Sequence, residues 1–462
     1  MHSLDIILRN PVGSRLQFLR RCGMVGVGGV VWATTTFFTV NAQAAGLYFQ
    51  EQGAVGIGRA NAGSAAAADD ESTIFFNPAG MTNLDGASLA LSTTFLMPRA
   101  DFSNEGSTAT TPGNSGAPAP ISGGDGGNPF GVTTIPNLYV VSPVAGRDLW
   151  LGFSVTAPFG MKLEYDDDWF GRYESTYTDL QVIDFGPSVA YRVSDSLSIG
   201  GGLDIQYANA TLENRIPDPM NPGGPTAATD GNFRAKGDSF ALGFNVGLTF
   251  TPVPSTRFGV HYRHGTSHEL EGDTTTSGLT GPLAGANGRS DMKADLDLPA
   301  VIGVGVAHEL TSRLTLLGQF NYFTWSEYEE VRIRYDDGSP DVVREQNYDD
   351  SISVAVGAEF DLDQRWTLRG GFQYEETPTT DPSFRSTRVP DGDRYYVTAG
   401  ASYAFSDNFS VDFAYAHVFV KDGRIDRTDT YFDGTGLDTS VTTSATYEGG
   451  FDVVAVKGVW SF

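Results

Sequence analysis

From about residue 86 onward the chain repeats one pattern: a run of roughly ten residues in which apolar and polar side chains alternate. In residues 239–250, Phe240, Leu242, Phe244, Val246, Leu248 and Phe250 share one face, while Ser239, Gly243, Asn245, Gly247 and Thr249 share the other. Residues 197–207, 351–360, 395–405 and 409–419 repeat the alternation. A period of two is the mark of a strand with one apolar face. Beyond residue 44 no apolar stretch approaches the roughly 20 residues that a membrane helix needs.

A soluble sandwich also alternates, so the connections must arbitrate. Short ones at Ser194-Asp195, 252–255, Thr311-Ser312, 361–364 and 406–408 take turns with long polar ones at 104–131, 214–236, 273–294, 336–350, 376–392 and 422–445. Tight turns at one end and long loops at the other describe an up-and-down barrel in an outer membrane. Closure removes sheet edges and satisfies every backbone group without water. The pattern predicts fourteen strands near 86–100, 133–143, 148–165, 179–193, 196–213, 237–251, 256–272, 295–309, 313–335, 351–361, 365–376, 393–405, 408–421 and 446–462. The last ends VVAVKGVWSF, with Val454, Val456, Trp460 and Phe462 on one face. Residues 104–131 and 217–232, rich in Gly, Ser, Thr and Pro, read as mobile loops.

Residues 1–44 read as an export signal. Arg9, Arg15, Arg20 and Arg21 precede the apolar stretch Met24–Val40, and Ala42-Gln43-Ala44 is an A-x-A cleavage site. Cys22 follows two arginines rather than a lipidation sequence, so no lipid anchor is expected, and cleavage leaves a mature chain without cysteine. The first 44 residues hold four of the 30 Lys and Arg and one of the 56 Asp and Glu, so net charge deepens from −26 to −29. Such an acidic chain is a poor nucleic-acid ligand.

Residues 45–84 fit neither neighbour. They hold Gly53, Gly56, Gly58 and Gly63, the run Ala65–Ala68, then Asp69 and Asp70, and close on Asn77-Pro78-Ala79-Gly80. Small residues let a backbone pack closely, and Asn-Pro stops a short helix. The reading is a compact insert inside a wide barrel, whose lumen stays open unless something fills it. That gives three domains: 1–44 signal peptide, 45–84 plug, 85–462 barrel.

The stretch AGLYFQEQGAVGIGRANAGSAAAADDESTIFFNPAGM resembles the hatch of the outer-membrane long-chain fatty acid transporter family (FadL/TodX-like, OMPP1). The resemblance runs on through TAPFGMKLEYDDDWFGRY, LPAVIGVG, RVPDGDRYYVTAGASYAFSDN and DFAYAHVFVKD, over essentially the whole mature chain. It implies an all-β fold, a fourteen-stranded antiparallel transmembrane barrel plugged by an N-terminal hatch, in the outer membrane of a Gram-negative bacterium. It implies passive uptake of long-chain fatty acids or similar hydrophobic compounds, by hatch movement and lateral exit at an inward-kinked third strand. Aromatic hydrocarbons are the alternative substrate. On the hatch, Arg59, Asp69, Asp70, Asn77, Pro78 and Ala79 are the residues of interest.

Other residues can be weighed by their own chemistry. Pro158 removes a ladder hydrogen bond in the third strand, marking either a wall gap or the point where pairing stops anyway. By parity Arg192, Arg263, Arg369 and Arg394 face the lumen, where each either meets an anionic head group or pairs with hatch acids such as Glu51, Asp69 and Asp70. Arg394 and Arg263 rank first for a head group, with Arg332 and Arg334 further candidates. His261, His264 and His268 suggest a metal cluster, but His261 and His264 face opposite sides of a strand. The run Asp166–Asp168 reads as a solvated loop edge. An outer-membrane enzyme needs a nucleophile beside a well-placed histidine, and neither His417, on the lipid side, nor His308, at a periplasmic turn, supplies it. A general porin leaves 45–84 unexplained. No catalytic residue, metal or cofactor is expected. The expected partners are a hydrophobic small molecule and outer-membrane lipid, with the chain acting as a monomer.

Overall fold

The structure, a computed structural model, describes residues 47–462; the expected signal peptide, 1–44, lies outside the described residues. Fourteen wall strands follow one another: β1 Ser88–Asn104, β2 Thr133–Pro143, β3 Leu149–Glu164, β4 Tyr177–Ser194, β5 Leu197–Ile216 and β6 Gly231–Val253. Next come β7 (Thr256–Arg263, then Thr266–Ser277), β8 (Gly288–Leu298, then Val301–Thr311), β9 (Leu314–Phe323, then Glu330–Tyr335) and β10 (Val342–Glu345, then Ser351–Asp361). The wall ends with β11 Trp366–Glu375, β12 Arg394–Ser406, β13 Phe409–Tyr431 and β14 Thr439–Ser461. Neighbours pair antiparallel, and β14 returns to β1 from Ser88↔Ser461 to Asn104↔Ala445, which closes the barrel.

The alternation sorts the side chains as expected. Phe240, Leu242, Phe244, Val246, Leu248 and Phe250 are exposed on the outer face. Three strands are interrupted where the sequence read them as continuous. β7 breaks at His264-Gly265, β8 at Pro299-Ala300, where proline cannot donate to a ladder, and β9 at the short 3-10 helix Trp325–Glu327.

Two loop expectations need correction. Residues 422–445 are not one long loop, because β13 and β14 pair on as far as Tyr431↔Thr439. Polarity misled here: the outer face is polar above the hydrocarbon, and the buried inner face mixes Arg427, Thr439 and Thr443 with Ile425, Val441 and Ala445, so no clean apolar period marks the strands. Residues 104–131 are likewise no plain tether. They carry a small hairpin, Thr108–Thr110 with Pro118–Pro120, that adds to β14 through Ala109↔Val441.

The N-terminal segment packs inside the wall and is almost wholly buried from Leu47 to Thr82. It comprises α1 (Ala54–Gly58), α2 (Thr73–Phe76) and a 3-10 helix, Pro78–Asn83. Its backbone comes close to wall glycines: Gly58 against Gly400, Arg59 against Gly357 and Gly371, Ala65 against Gly259, and Ala79 against Gly200. A Cβ at Gly259 would lie 1.8 Å from the Ala65 carbonyl oxygen, and one at Gly371 would lie 2.3 Å from that of Arg59. Backbone cannot retreat from such contacts, so the wall glycines set how closely plug and wall approach.

Gly371→Leu is therefore expected to displace the plug and give steady ion conductance in planar bilayers, where the parent chain stays closed. Gly370→Leu is the control, since its nearest neighbour is the Thr398 carbonyl oxygen at 3.7 Å. Equal conductance from both variants would show that the glycine contacts do not hold the plug.

Candidate functional site

From Arg59 onward the plug is fixed by buried ion clusters. Arg59 pairs with Asp69 of the plug and Glu359 of β10, both at 2.6 Å, and Arg369 of β11 joins Glu359 at 2.7 Å. Lys457 of β14 reaches Asp70 at 2.8 Å, Glu71 at 3.3 Å and Asp412 of β13 at 3.2 Å. Arg263 of β7 lies between Asp204 (2.5 Å) and Asp184 (3.3 Å) and donates to the Phe75 carbonyl at 3.0 Å. Asn77 accepts from the Ala79 N–H at 3.1 Å, capping the 3-10 helix that begins at Pro78. Its amide donates to the carbonyls of Ala65 at 2.6 Å and Leu248 of β6 at 3.1 Å, tying plug to wall. Arg192 of β4 donates to the Thr82 carbonyl.

The first residues are held differently. Phe49 N–H donates to the Pro158 carbonyl at 2.8 Å, and Gly160 N–H to the Leu47 carbonyl at 2.9 Å, so Tyr48 pairs with Phe159 of β3 as a short added strand. They dock where the wall is incomplete. The β2–β3 ladder runs only from Pro143↔Trp150 to Leu138↔Val155. Among the described residues, Thr133–Leu138 of β2 otherwise pair with β1 alone. β3 beyond Val155 pairs with β4 across a bulge at Ala157-Pro158. Gln52 spans this seam: its side chain donates to the Ala157 carbonyl at 2.9 Å, and its carbonyl accepts from Tyr139 (2.7 Å) and Asn137 (3.2 Å) of β2. Pro158 thus sits at the seam itself, with its carbonyl turned to the plug.

Two adjoining cavities are present, and the narrower meets the limb at Leu47. A narrow one of about 90 Å³ has an apolar lining that includes Leu47, Met161, Leu180, Leu212, Leu296 and Val389. A wider one of about 640 Å³ is bounded by Phe233, Pro340, Val342, Arg344, Arg427 and Tyr431, largely from the loop ends of the strands. The two share Leu212, Val331, Ile333, Gln346, Ser386 and Arg388.

The candidate head-group arginines fall into two groups. Arg394 is buried between Glu375 (3.0 Å) and Asp391, and Arg263 between its two aspartates, so both are neutralised where they stand. Val331 and Ile333 line the cavities, so parity turns Arg332 and Arg334 the other way, where they pair with Glu330 and Asp341 and with Asp295 and Glu269. His261 and His268 are buried, while His264 is exposed on the outer side. Sequence reasoning missed Lys457 and Arg388. The first could have been found by parity, since it falls on the inward face, opposite the outward series Val454, Val456, Trp460. Arg388 lies in a loop, where no period points to it.

The comparisons with known proteins agree with this architecture. Residues 35–456 match the family model described as outer membrane protein transport protein (OMPP1/FadL/TodX). The chain is 27% identical to a long-chain fatty acid transport protein of Escherichia coli O6:H1, over 81% of this chain and 86% of that one. It is 28% identical to outer membrane protein P1 of Haemophilus influenzae, over 91% and 96%. Among solved structures, a Pseudomonas aeruginosa FadL homologue superposes with a TM-score of 0.78 at 24% identity, covering 90% of this chain and all of that one. A toluene transporter of Ralstonia pickettii does so at 0.64 and 19%, covering 89% and 98%.

Glu51, in the limb, supplies a pH handle. Burial, with Glu375 adding to it, pushes its carboxyl from 4.5 up to about 7. An undocked limb gives up this proton at lower pH than a docked one. Docking is thus strongest below about pH 4.5 and weakens as pH rises to about 7. A fluorophore at residue 47 is expected to report this loss, and Glu51→Gln to remove the pH dependence. An unchanged profile in Glu51→Gln would assign it to another group.

Proposed function

Because the chain belongs to the OMPP1/FadL/TodX family of outer-membrane transport proteins, we propose that it carries long-chain fatty acids or similar hydrophobic compounds passively across that membrane, gated by its N-terminal segment. The chain crosses the outer membrane of a Gram-negative bacterium with its strands. In this reading residues 1–44 are removed on export, 45–84 are the hatch, and 85–462 form a monomeric barrel that acts as a transporter rather than an enzyme. The substrate enters the wider cavity between the loop ends, passes into the apolar one, and leaves sideways through the β2–β3 seam once the limb undocks.

The observation that carries this is the position of Leu47. It lines the apolar cavity and, through its carbonyl, accepts from Gly160 of β3 beside the seam. Moving it opens the cavity and the wall together. Lateral release suits the substrate: each methylene kept from water saves about 0.8 kcal/mol, so an aqueous exit would be costly for an acyl chain. The toluene transporters with the same fold make aromatic hydrocarbons the second substrate to test.

The test is uptake of labelled oleate and toluene by cells that lack their own transporter and express this chain with Tyr48→Cys and Phe159→Cys. Their rings lie 5.2 Å apart in a non-hydrogen-bonded antiparallel pair, close enough for a disulfide. Uptake should stop on oxidation and return on reduction. Continued uptake with the disulfide formed would rule out limb release as the gate.

A further inference from the structure

Three cations deep in the barrel are already outnumbered. Arg263 faces two aspartates, Arg394 faces Glu375 and Asp391, and Lys457 faces three carboxylates. An anionic head group brought there would meet excess negative charge. Arg388 differs. Its guanidinium donates to the carbonyls of Tyr177 (3.2 Å) and Glu213 (3.2 Å), to Asn214 Oδ1 (3.1 Å), and to the hydroxyls of Thr178 (3.2 Å) and Ser175 (3.4 Å). All five acceptors are neutral, and among the described residues Arg388 forms no ion pair. Burial pushes it down to about 10, the sign of a cation short of counter-charge. It keeps some surface open, and it lines both cavities at their junction.

We propose that Arg388 is the specificity determinant of the path: it receives the carboxylate of an anionic amphiphile whose chain lies in the apolar cavity, and it favours such a substrate over a neutral hydrocarbon. The inference rests on the uptake reading and narrows its substrate class. Arg344 and Arg427 border the wider cavity and are both held by Asp429, at 3.6 and 3.4 Å, so they add positive potential on the approach without competing for the head. Glu174 opposes it. One of its oxygens accepts from the Thr387 N–H at 3.0 Å, the other is buried without a partner, and burial raises its proton affinity. An incoming carboxylate is charge-assisted at Arg388 in a way that an ester or an arene is not.

The experiment compares binding of oleate and methyl oleate to the full chain in lipid nanodiscs. The parent should prefer oleate. Arg388→Gln should cut the oleate-to-ester preference by about tenfold or more. Arg388→Lys, which keeps the charge but not the fork, should retain part of it. Glu174→Gln should raise it. A preference unchanged in Arg388→Gln, whether both affinities fall together or neither moves, would make the guanidinium a loop staple and overturn the proposal. A parent that binds both ligands equally overturns the selectivity alone. A parent that binds neither overturns the uptake reading itself.

Discussion

In hydrocarbon every peptide N–H and C=O needs a protein partner, and the rest of this structure depends on how that demand is met. The ladder closes from β14 to β1, so the wall has no sheet edge. The wall itself leaves that demand unmet where β2 and β3 part beyond Leu138↔Val155. There the plug supplies the missing groups, with Leu47 and Phe49 bonding the β3 backbone and Gln52 reaching both strands. The proline and bulge at Ala157-Pro158 turn β3's backbone toward the lumen instead of toward β2. A wall completed by a movable segment can be opened sideways without breaking the barrel.

The two parts of the plug are held by different interactions. The segment from Arg59 to Thr82 is tied by buried ion clusters, and removing one partner of such a pair costs about 3–5 kcal/mol. The limb before it is held by neutral hydrogen bonds, worth about 0.5–1.5 kcal/mol each net of solvation, and by burial of Leu47, Tyr48 and Phe49. Within it Gln50 donates to the Glu375 carboxylate at 2.6 Å. In the proposed gating the ion-paired part, packed against wall glycines, is the base and the limb is the part released. The same clusters leave the lumen rich in negative charge, which puts the receptive cation at the cavity mouth rather than at its depth.

Much of this was legible in the sequence. Period-two alternation placed the strands, because one face of each meets lipid. The small residues of 45–84 pointed to close packing, which Gly58, Ala65 and Ala79 make against wall glycines. Parity placed Arg263 and Arg394 in the lumen correctly. It could not show that Asp184, Asp204, Glu375 and Asp391 would already neutralise them, since those pairings join distant strands. The tops of β13 and β14 were read as loop because polar residues outside the membrane carry no periodic signal. Pro158 hinted at the seam, yet the loss of pairing belongs to two strands at once and is written in neither. Arg388 escaped because its role comes from where a loop folds back.

The most direct test of the central claim is hydrogen–deuterium exchange of the reconstituted protein with and without oleate. Faster exchange confined to residues 47–53, with 59–82 unchanged, is the result this account predicts. Faster exchange across 47–82 together would mean that the whole plug moves. Exchange unchanged in both segments while oleate is bound would mean that the β2–β3 seam is not the exit.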